Sequence, residues 1–262
     1  MASKTVRPAA AFRKSAKGKR DPTRSLRRMK VFEKELVSLF KRFRDYVIAD
    51  LGKRHDRHLE VGQNPLNINI LTFNEDIDII ARDLLINPAN NRIDVKIPEA
   101  YQAGGAFGSI ALGGTLEQRQ EEWKRIVAQI NVTKAAFSGI TQATTSSIKS
   151  IVGNGILKEE PLSEIARDIV RAVDKIGIVR ATMMVRTETM KAVNAGIKDR
   201  YKQAGVTKVE WLSVANDPWP CEECASYEGQ VYPIDDHPEI PVHPNCCCTL
   251  LPVIEIPEME GD

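Results

Sequence analysis

A mostly α-helical chain, with a helical N-terminal and middle region and a small α+β module at its C-terminal end, is the fold class that three observations predict. Apolar residues recur at intervals of three and four through much of residues 31–203, the period of a helix with one buried face. After Gly205 the period changes to two in the short runs 208–214, 230–232 and 249–251, the mark of strands. All five cysteines fall between positions 221 and 248, close to one of the four histidines, His243.

The elements follow in order. Phe32, Leu36, Leu39, Phe40, Phe43 and Val47 share one face, and Gly52 offers a stop, so an amphipathic helix is expected over 31–51. Thr72 and Glu75 have the spacing of a capping box, and the next helix should end before Asn87-Pro88, since proline turns its predecessor away from the α conformation. Residues 92–97 alternate and predict a short strand. Ala103–Gly108 and Gly113-Gly114 lack the Gly-Lys-Ser/Thr ending of a phosphate loop and read as a hinge or loop. Thr115 and Gln118 again match a capping box, opening a long helix through Trp123, Ile126, Val127, Ile130, Phe137, Ile140, Ile148 and Ile151 that stops near Gly153 and Gly155. A helix from Pro161–Ser163 turns Ile165, Ile169 and Val173 inward, and a final one runs from Ile178 to Gln203 with Gly205 at its C′ position. On it Arg186 shares a stripe with Met190, Val193 and Ile197, which points it inward. A buried arginine needs an acid; Glu188 lies on another face, so the expected mate in a structural clamp is Asp217.

Cys221-Glu222-Glu223-Cys224 followed by His243-Pro244-Asn245-Cys246-Cys247-Cys248 has the ligand spacing of a structural zinc site. Two thiolates from a C-x-x-C turn meet at one point, and a later His/Cys knuckle closes the tetrahedral shell. Cys221, Cys224 and His243 are the firm ligands. In an extended stretch Cys246 and Cys248 point the same way and Cys247 the other, so Cys246 is taken as fourth ligand, with Cys248 as its alternative. Disulfides are not expected, because residues 1–30 are polar and basic and show no apolar secretory leader. No stretch approaches the roughly 20 apolar residues that cross a bilayer, so no membrane partner is expected.

The net charge of +2 hides an asymmetry: residues 1–30 hold eleven Lys/Arg and one acid, Asp21, leaving 26 of the 37 basic and 34 of the 35 acidic residues in the body. With few apolar residues to bury, this arm is expected to be disordered alone and to meet nucleic-acid phosphates through Arg13, Lys14, Lys17, Lys19 and Arg20. An acidic protein surface would attract it by the same electrostatics.

The order of features resembles the head-morphogenesis family of tailed phages, whose namesake is the F-like minor head protein of phage Mu. The resemblance rests on Arg186-Thr187-Glu188 with Asn194 and Tyr201 on one helix, then Gly205, Trp211, Asp217, Cys221-x-x-Cys224, Gly229–Tyr232, His243–Cys246 and Cys248–Pro252, and it covers about Leu162 to Val253. The family usually has arginine where Cys247 stands. The resemblance implies a virion component, not an enzyme: a minor head (capsid) protein beside the phage portal protein and capsid or scaffold proteins. It would lie inside the capsid near the portal vertex, in the host cytoplasm during assembly, and act in DNA packaging or ejection. With the residues' own reading it divides the chain into a basic arm 1–30, a helical body 31–158, a head-morphogenesis-like domain 159–254 and an acidic tail 255–262.

Two other classes share some of these residues. A zinc-ribbon nucleic-acid module also combines C-x-x-C knuckles with basic arms, although Glu222, Glu223, Glu228, Asp235, Asp236 and Glu239 make this segment acidic. His58-Leu59-Glu60 with Pro220–Cys224 spells the zinc-deaminase signature, but His243 and Cys246 would fill the shell and leave no position for water.

Overall fold

The computed structural model describes residues 3–6, 23, 25–60, 69–112, 120–213 and 221–257, with the side chains of 3–6, 57–60, 120–121 and 255–257 excepted. The described chain is mostly helical, with strands at its two ends. In chain order it forms β1 (Ser3–Val6), α1 (Ser25–Glu60), α2 (Ile70–Ala81), a π turn at Arg82–Ile86, α3 (Asn87–Ala111), α4 (Gln120–Leu157), α5 (Leu162–Ala172), a second π turn at Val173–Ile178, and α6 (Val179–Gln203). There follow β2 (Lys208–Leu212), α7 (Glu222–Tyr227), β3 (Val231–Pro233) and β4 (Thr249–Pro257). No described helix is long and apolar enough to cross a membrane.

The chain divides into two compact units that do not follow the linear division at 158: one holds residues 31–94 and 131–185, the other 1–30, 95–130 and 186–262. In the first, α1 buries Phe32, Leu36, Leu39, Phe40, Phe43, Val47 and Leu51 on the expected face. The same unit buries Phe73 and Ile77 of α2, Phe137, Ile148 and Val152 of α4, and Ile165 and Ile169 of α5. Phe40 and Phe137 meet with ring centroids 5.7 Å apart. Phe40 also fills the space at Gly177, where a Cβ would lie 2.5 Å from the ring, so the second π turn admits no larger residue without moving that ring. Arg54 bridges Asp50 and Asp76 at 2.6 and 2.5 Å, and Lys149 meets Asp78 at 2.7 Å; reached by solvent, such pairs add little.

Several elements differ from the sequence expectation, each for a physical reason. Gly52 does not stop α1, because no competing bond or left-handed turn forms there and the helix runs on to Glu60. Asn69, not Thr72, caps α2, its side chain accepting the N–H groups of Leu71 and Thr72. Asn87-Pro88 does not end the helix: the π turn carries Asn87 N–H to Arg82 O, five residues back, at the point where Pro88 has no hydrogen to give. Residues 92–97 are helical, not extended. Ile93 and Ile97 are buried four residues apart, while Val95 is 50% exposed, so the alternation of β-branched residues concealed a helical period.

The glycine run 103–108 lies within α3 and is not a loop. In the second unit a Cβ on Gly104 would collide with the carbonyl of Val193, and one on Gly196 with that of Tyr101, so backbone meets backbone between α3 and α6. Around that contact runs a buried polar group: Tyr101 donates to Asp199, which also pairs with Arg125, while Glu122 accepts from Gln203 and lies 3.7 Å from Arg200. Burial, and then the charge of Glu122, pushes the Tyr101 hydroxyl up to about 12, so it stays a donor at neutral pH.

The sheet has the order β1-β4-β2-β3, all antiparallel. Leu212 faces Thr249 and Lys208 faces Val253, and β1 takes the last residues of β4, Ser3 opposite Pro257. Two stretches of the expected disordered arm are therefore regular, Ser3–Val6 as a strand and Ser25–Lys30 as the start of α1. Part of the expected acidic tail belongs to β4. The capping pair Thr115 and Gln118 lies outside the described residues.

Gly104→Ala should lower stability by about 1–3 kcal/mol, since only backbone can yield there. Gly52→Ala, in an open helical position, should raise it by roughly 0.5–1 kcal/mol. Urea denaturation of the two variants measures both, and equal effects would contradict the packing at Gly104.

Candidate metal centre

Cys221 is the N-cap of α7, its Sγ accepting the Cys224 N–H at 3.3 Å, and the single turn of helix brings Cys224 to the same side. The second half of the site comes from a tight turn. Asn245 adopts φ +65°, a conformation asparagine tolerates, and Cys246 N–H reaches His243 O at 3.1 Å. His243 Nδ1–H donates to the Pro244 carbonyl at 2.8 Å, which fixes the ring and directs Nε2 toward the cysteines.

Nε2 of His243 lies 3.1 Å from the Sγ of Cys221 and 3.1 Å from that of Cys224, and Cys224 lies 3.8 Å from Cys246. Two donor groups result, Cys221 with Cys224 and His243, and Cys224 with Cys246 and Cys248, each with its ligand atoms within 4.8 Å of one another. Cys224 belongs to both. Tetrahedral zinc with Zn–S bonds of about 2.3 Å holds its sulfurs about 3.8 Å apart, so the separation of Cys224 and Cys246 fits the ion. No cysteine forms a disulfide.

The thiols do not share one acidity. The Cys248 side chain, and then backbone N–H groups, hold Cys246 down to about 5 although burial raises it. Burial, then Cys221 and Cys246, push Cys224 far above its ordinary value. Burial also raises Cys221, but the N–H and side chain of Cys224 and then His243 bring it below the usual thiol range. Thiolates this close repel one another, and a divalent cation among them removes that penalty and lets each ionise. The donors present therefore suit a structural zinc ion: four sulfurs and one correctly oriented imidazole nitrogen, largely buried.

α6 carries the supports. Asn245 N–H donates to the Thr187 hydroxyl at 3.3 Å, Asn194 Nδ2 to the Cys248 carbonyl at 3.1 Å, and Tyr201 to the Leu250 carbonyl at 3.1 Å, while Thr249 donates to Asn194 Oδ1 at 3.0 Å. Three positions along one helix thus grip the knuckle and β4 in succession. α6 then ends in a Schellman motif: Gly205, at φ +76°, donates to Lys202 O, and Val206 N–H reaches back to Tyr201 O. Beyond it Trp211 is buried against Tyr227, centroids 5.1 Å apart, and Glu228 accepts the Ser213 N–H at 2.6 Å, closing the turn around α7.

Of the residues the sequence singled out, Cys221, Cys224, His243, Cys246 and Cys248 come together, and Cys247 points elsewhere, into a cluster with Met29 and Met190. Arg186 does not point inward as expected. It is exposed on α6, whereas Glu188 is the buried charge, accepting from Gln129 at 2.5 Å and from Lys191 at 3.2 Å. A guanidinium reaches water at little cost from the edge of an apolar stripe, so sharing that stripe with Met190 did not bury it. Asp217, His58 and the cations Arg13, Lys14, Lys17, Lys19 and Arg20 lie outside the residues whose side chains are described. The grips by Thr187 and Thr249 went unread, and Asn194 and Tyr201 had no assigned role. The available signal was an asparagine and a tyrosine, each with a polar end, on the apolar stripe of a long helix.

Residues 146–251 match the family model described as Phage Mu protein F like protein. They form a Phage Mu F-like domain. This is the phage head-morphogenesis family read from the sequence, and the matched range begins upstream of Leu162, taking in the end of α4. Every donor of the metal centre, together with Thr187, Asn194 and Tyr201, lies inside the Mu F-like domain. No curated protein and no solved structure matches the chain.

Tyr201→Phe removes the donor to a buried carbonyl and should cost about 1–2 kcal/mol, read by chemical denaturation. An unchanged midpoint would show that the Leu250 carbonyl finds another partner.

Proposed function

We propose that this chain is a phage minor head protein that sits at the portal vertex inside the capsid, with one structural zinc ion knitting its Mu F-like domain. The observation that carries the reading is a Mu F-like domain containing a buried Cys/His donor set of zinc-like spacing. The domain supplies the docking piece and contacts the portal protein and neighbouring capsid or scaffold proteins. The arm residues Arg13, Lys14, Lys17, Lys19 and Arg20 meet packaged DNA, and the protein acts in packaging or ejection. It works by assembly, without catalysis. In support, Glu222 and Glu223 are exposed on α7, away from the buried sulfurs, and both His243 and Cys246 lie beside Cys224 as further protein donors, where a deaminase needs an acid and an open position at the ion.

Purified protein should contain one zinc per chain by elemental analysis. Cys221→Ser or Cys224→Ser should lose it and unfold the domain, because structural zinc contributes on the order of 10 kcal/mol in small zinc folds. His58→Ala should keep full metal. A zinc-free protein with an unchanged melting temperature would end this assignment. Neutralising the five arm cations should flatten the salt dependence of DNA binding, by about 0.9 in the log–log slope for each phosphate that the arm no longer neutralises. Co-purification with the portal oligomer should survive that change, and failure to bind the portal with zinc in place would separate this protein from the vertex.

A further inference from the structure

Cys247 is the one cysteine that the metal centre does not use, and its surroundings assign it another task. It is 9% exposed and packs with Met29, at the start of α1, and Met190 of α6, with Leu26 against the same cluster. Its Sγ–H donates to Asn245 O at 3.6 Å. The start of α1 is held there by polar contacts as well: Thr23 donates to the Ser25 hydroxyl at 2.8 Å, and Ser25 lies 3.4 Å from the sulfur of Met190. Thr23, Ser25 and Met29 are all buried, at 5%, 2% and 1% exposure. These contacts fall within one compact unit.

The neighbours of Cys247 in the chain are Cys246 and Cys248, both turned into the donor cluster. In an extended stretch alternate side chains leave opposite faces, so whatever fixes Cys246 and Cys248 on one side fixes Cys247 on the other. From this we infer that the metal centre anchors the first turns of α1: the ion sets the 246–248 stretch, and Cys247 passes that order to Met29. This inference rests on the metal reading proposed above. Without the ion, the stretch keeps its bonds to α6, through Asn245 and Cys248, but loses the coordination that ties Cys246 to Cys224 of α7. The pocket beneath Met29 then loses one wall. Residues 23–30 join the basic N-terminal segment to α1, so the ion governs how firmly that segment is rooted.

Hydrogen exchange of the full-length chain, with zinc content measured on the same samples, tests the coupling. In zinc-loaded protein the amides of residues 25–32 should be protected, and removing zinc with a chelator should speed their exchange about tenfold or more, in step with residues 243–249. Cys247→Asp should keep one zinc and a protected knuckle while residues 25–32 exchange fast, because a short carboxylate cannot be buried unpaired between two methionines. Met29→Ser approaches the contact from the other side and leaves the knuckle untouched. It should keep zinc and abolish the effect of the chelator on residues 25–32. Stoichiometric zinc whose removal opens 243–249 but leaves 25–32 unchanged would overturn the coupling alone. Protein that never binds zinc would overturn both the coupling and the metal assignment.

Discussion

Cys224 is the point on which the C-terminal architecture turns. It is the sulfur common to both donor groups, it is 2% exposed, and burial first, then its contact with Cys221 and the charge of Cys246, push its thiol upward. A buried thiol in that position either remains protonated among neighbours that do not, or shares a cation with them. The second arrangement turns a repulsive cluster into a cross-link. A cation held there would tie α7 to the turn before β4, since Cys224 and Cys246 stand 22 residues apart in the chain.

A cross-link fixes a knot but does not by itself orient it. Orientation comes from α6, whose Thr187, Asn194 and Tyr201 meet Asn245, Cys248 and Leu250 at intervals of two turns. α6 can serve as a ruler because its other side is seated without slack. Gly104 and Gly196 let backbone approach backbone, and buried glycine contacts tolerate no sliding, since any shift meets a carbonyl. The charged group formed by Glu122, Asp199, Arg200 and Tyr101 adds direction, because its hydrogen bonds and ion pairs form only when the helices meet in one register. Close packing sets the distance between α3 and α6, and polar pairing sets the register.

What the sequence made legible divides along physical lines. Helix faces were readable wherever burial demands a broad apolar stripe, as in α1 and α5, and so was the strand after Gly205, because period and turn chemistry agree there. The donor cluster was readable to the level of which cysteine points away, since alternation in an extended stretch needs no tertiary information. Boundaries were not. Asn87-Pro88 reads as a stop unless a π turn absorbs the missing hydrogen bond, and whether it does depends on packing around Leu85 that local sequence does not contain. The glycines of α3 read as a loop for the same reason: they are poor helix formers, and only the approach of α6 explains their presence in a helix. Arg186 was misread as inward-pointing because a long cation on the margin of a stripe can reach its surface, whereas the shorter Glu188 is buried; the expected clamp partner, Asp217, lies outside the described residues.

The charge asymmetry of the chain takes on a different meaning once the fold is known. As a sequence the C-terminal segment is acidic and would repel any polyanion that the basic arm attracts. In the structure Asp235 is taken up by Lys202 and Lys198 of α6, which hold its carboxyl below the usual range, and Glu228 is turned to a backbone N–H. Glu222, Glu223, Asp236 and Glu239 remain exposed, so the acidic surface shrinks to the outer face of α7 and the loop before the knuckle. That acidic surface belongs to the same compact unit as residues 1–30, which carry eleven of the basic residues, so the two charge extremes of the chain are gathered in one unit and not divided between two.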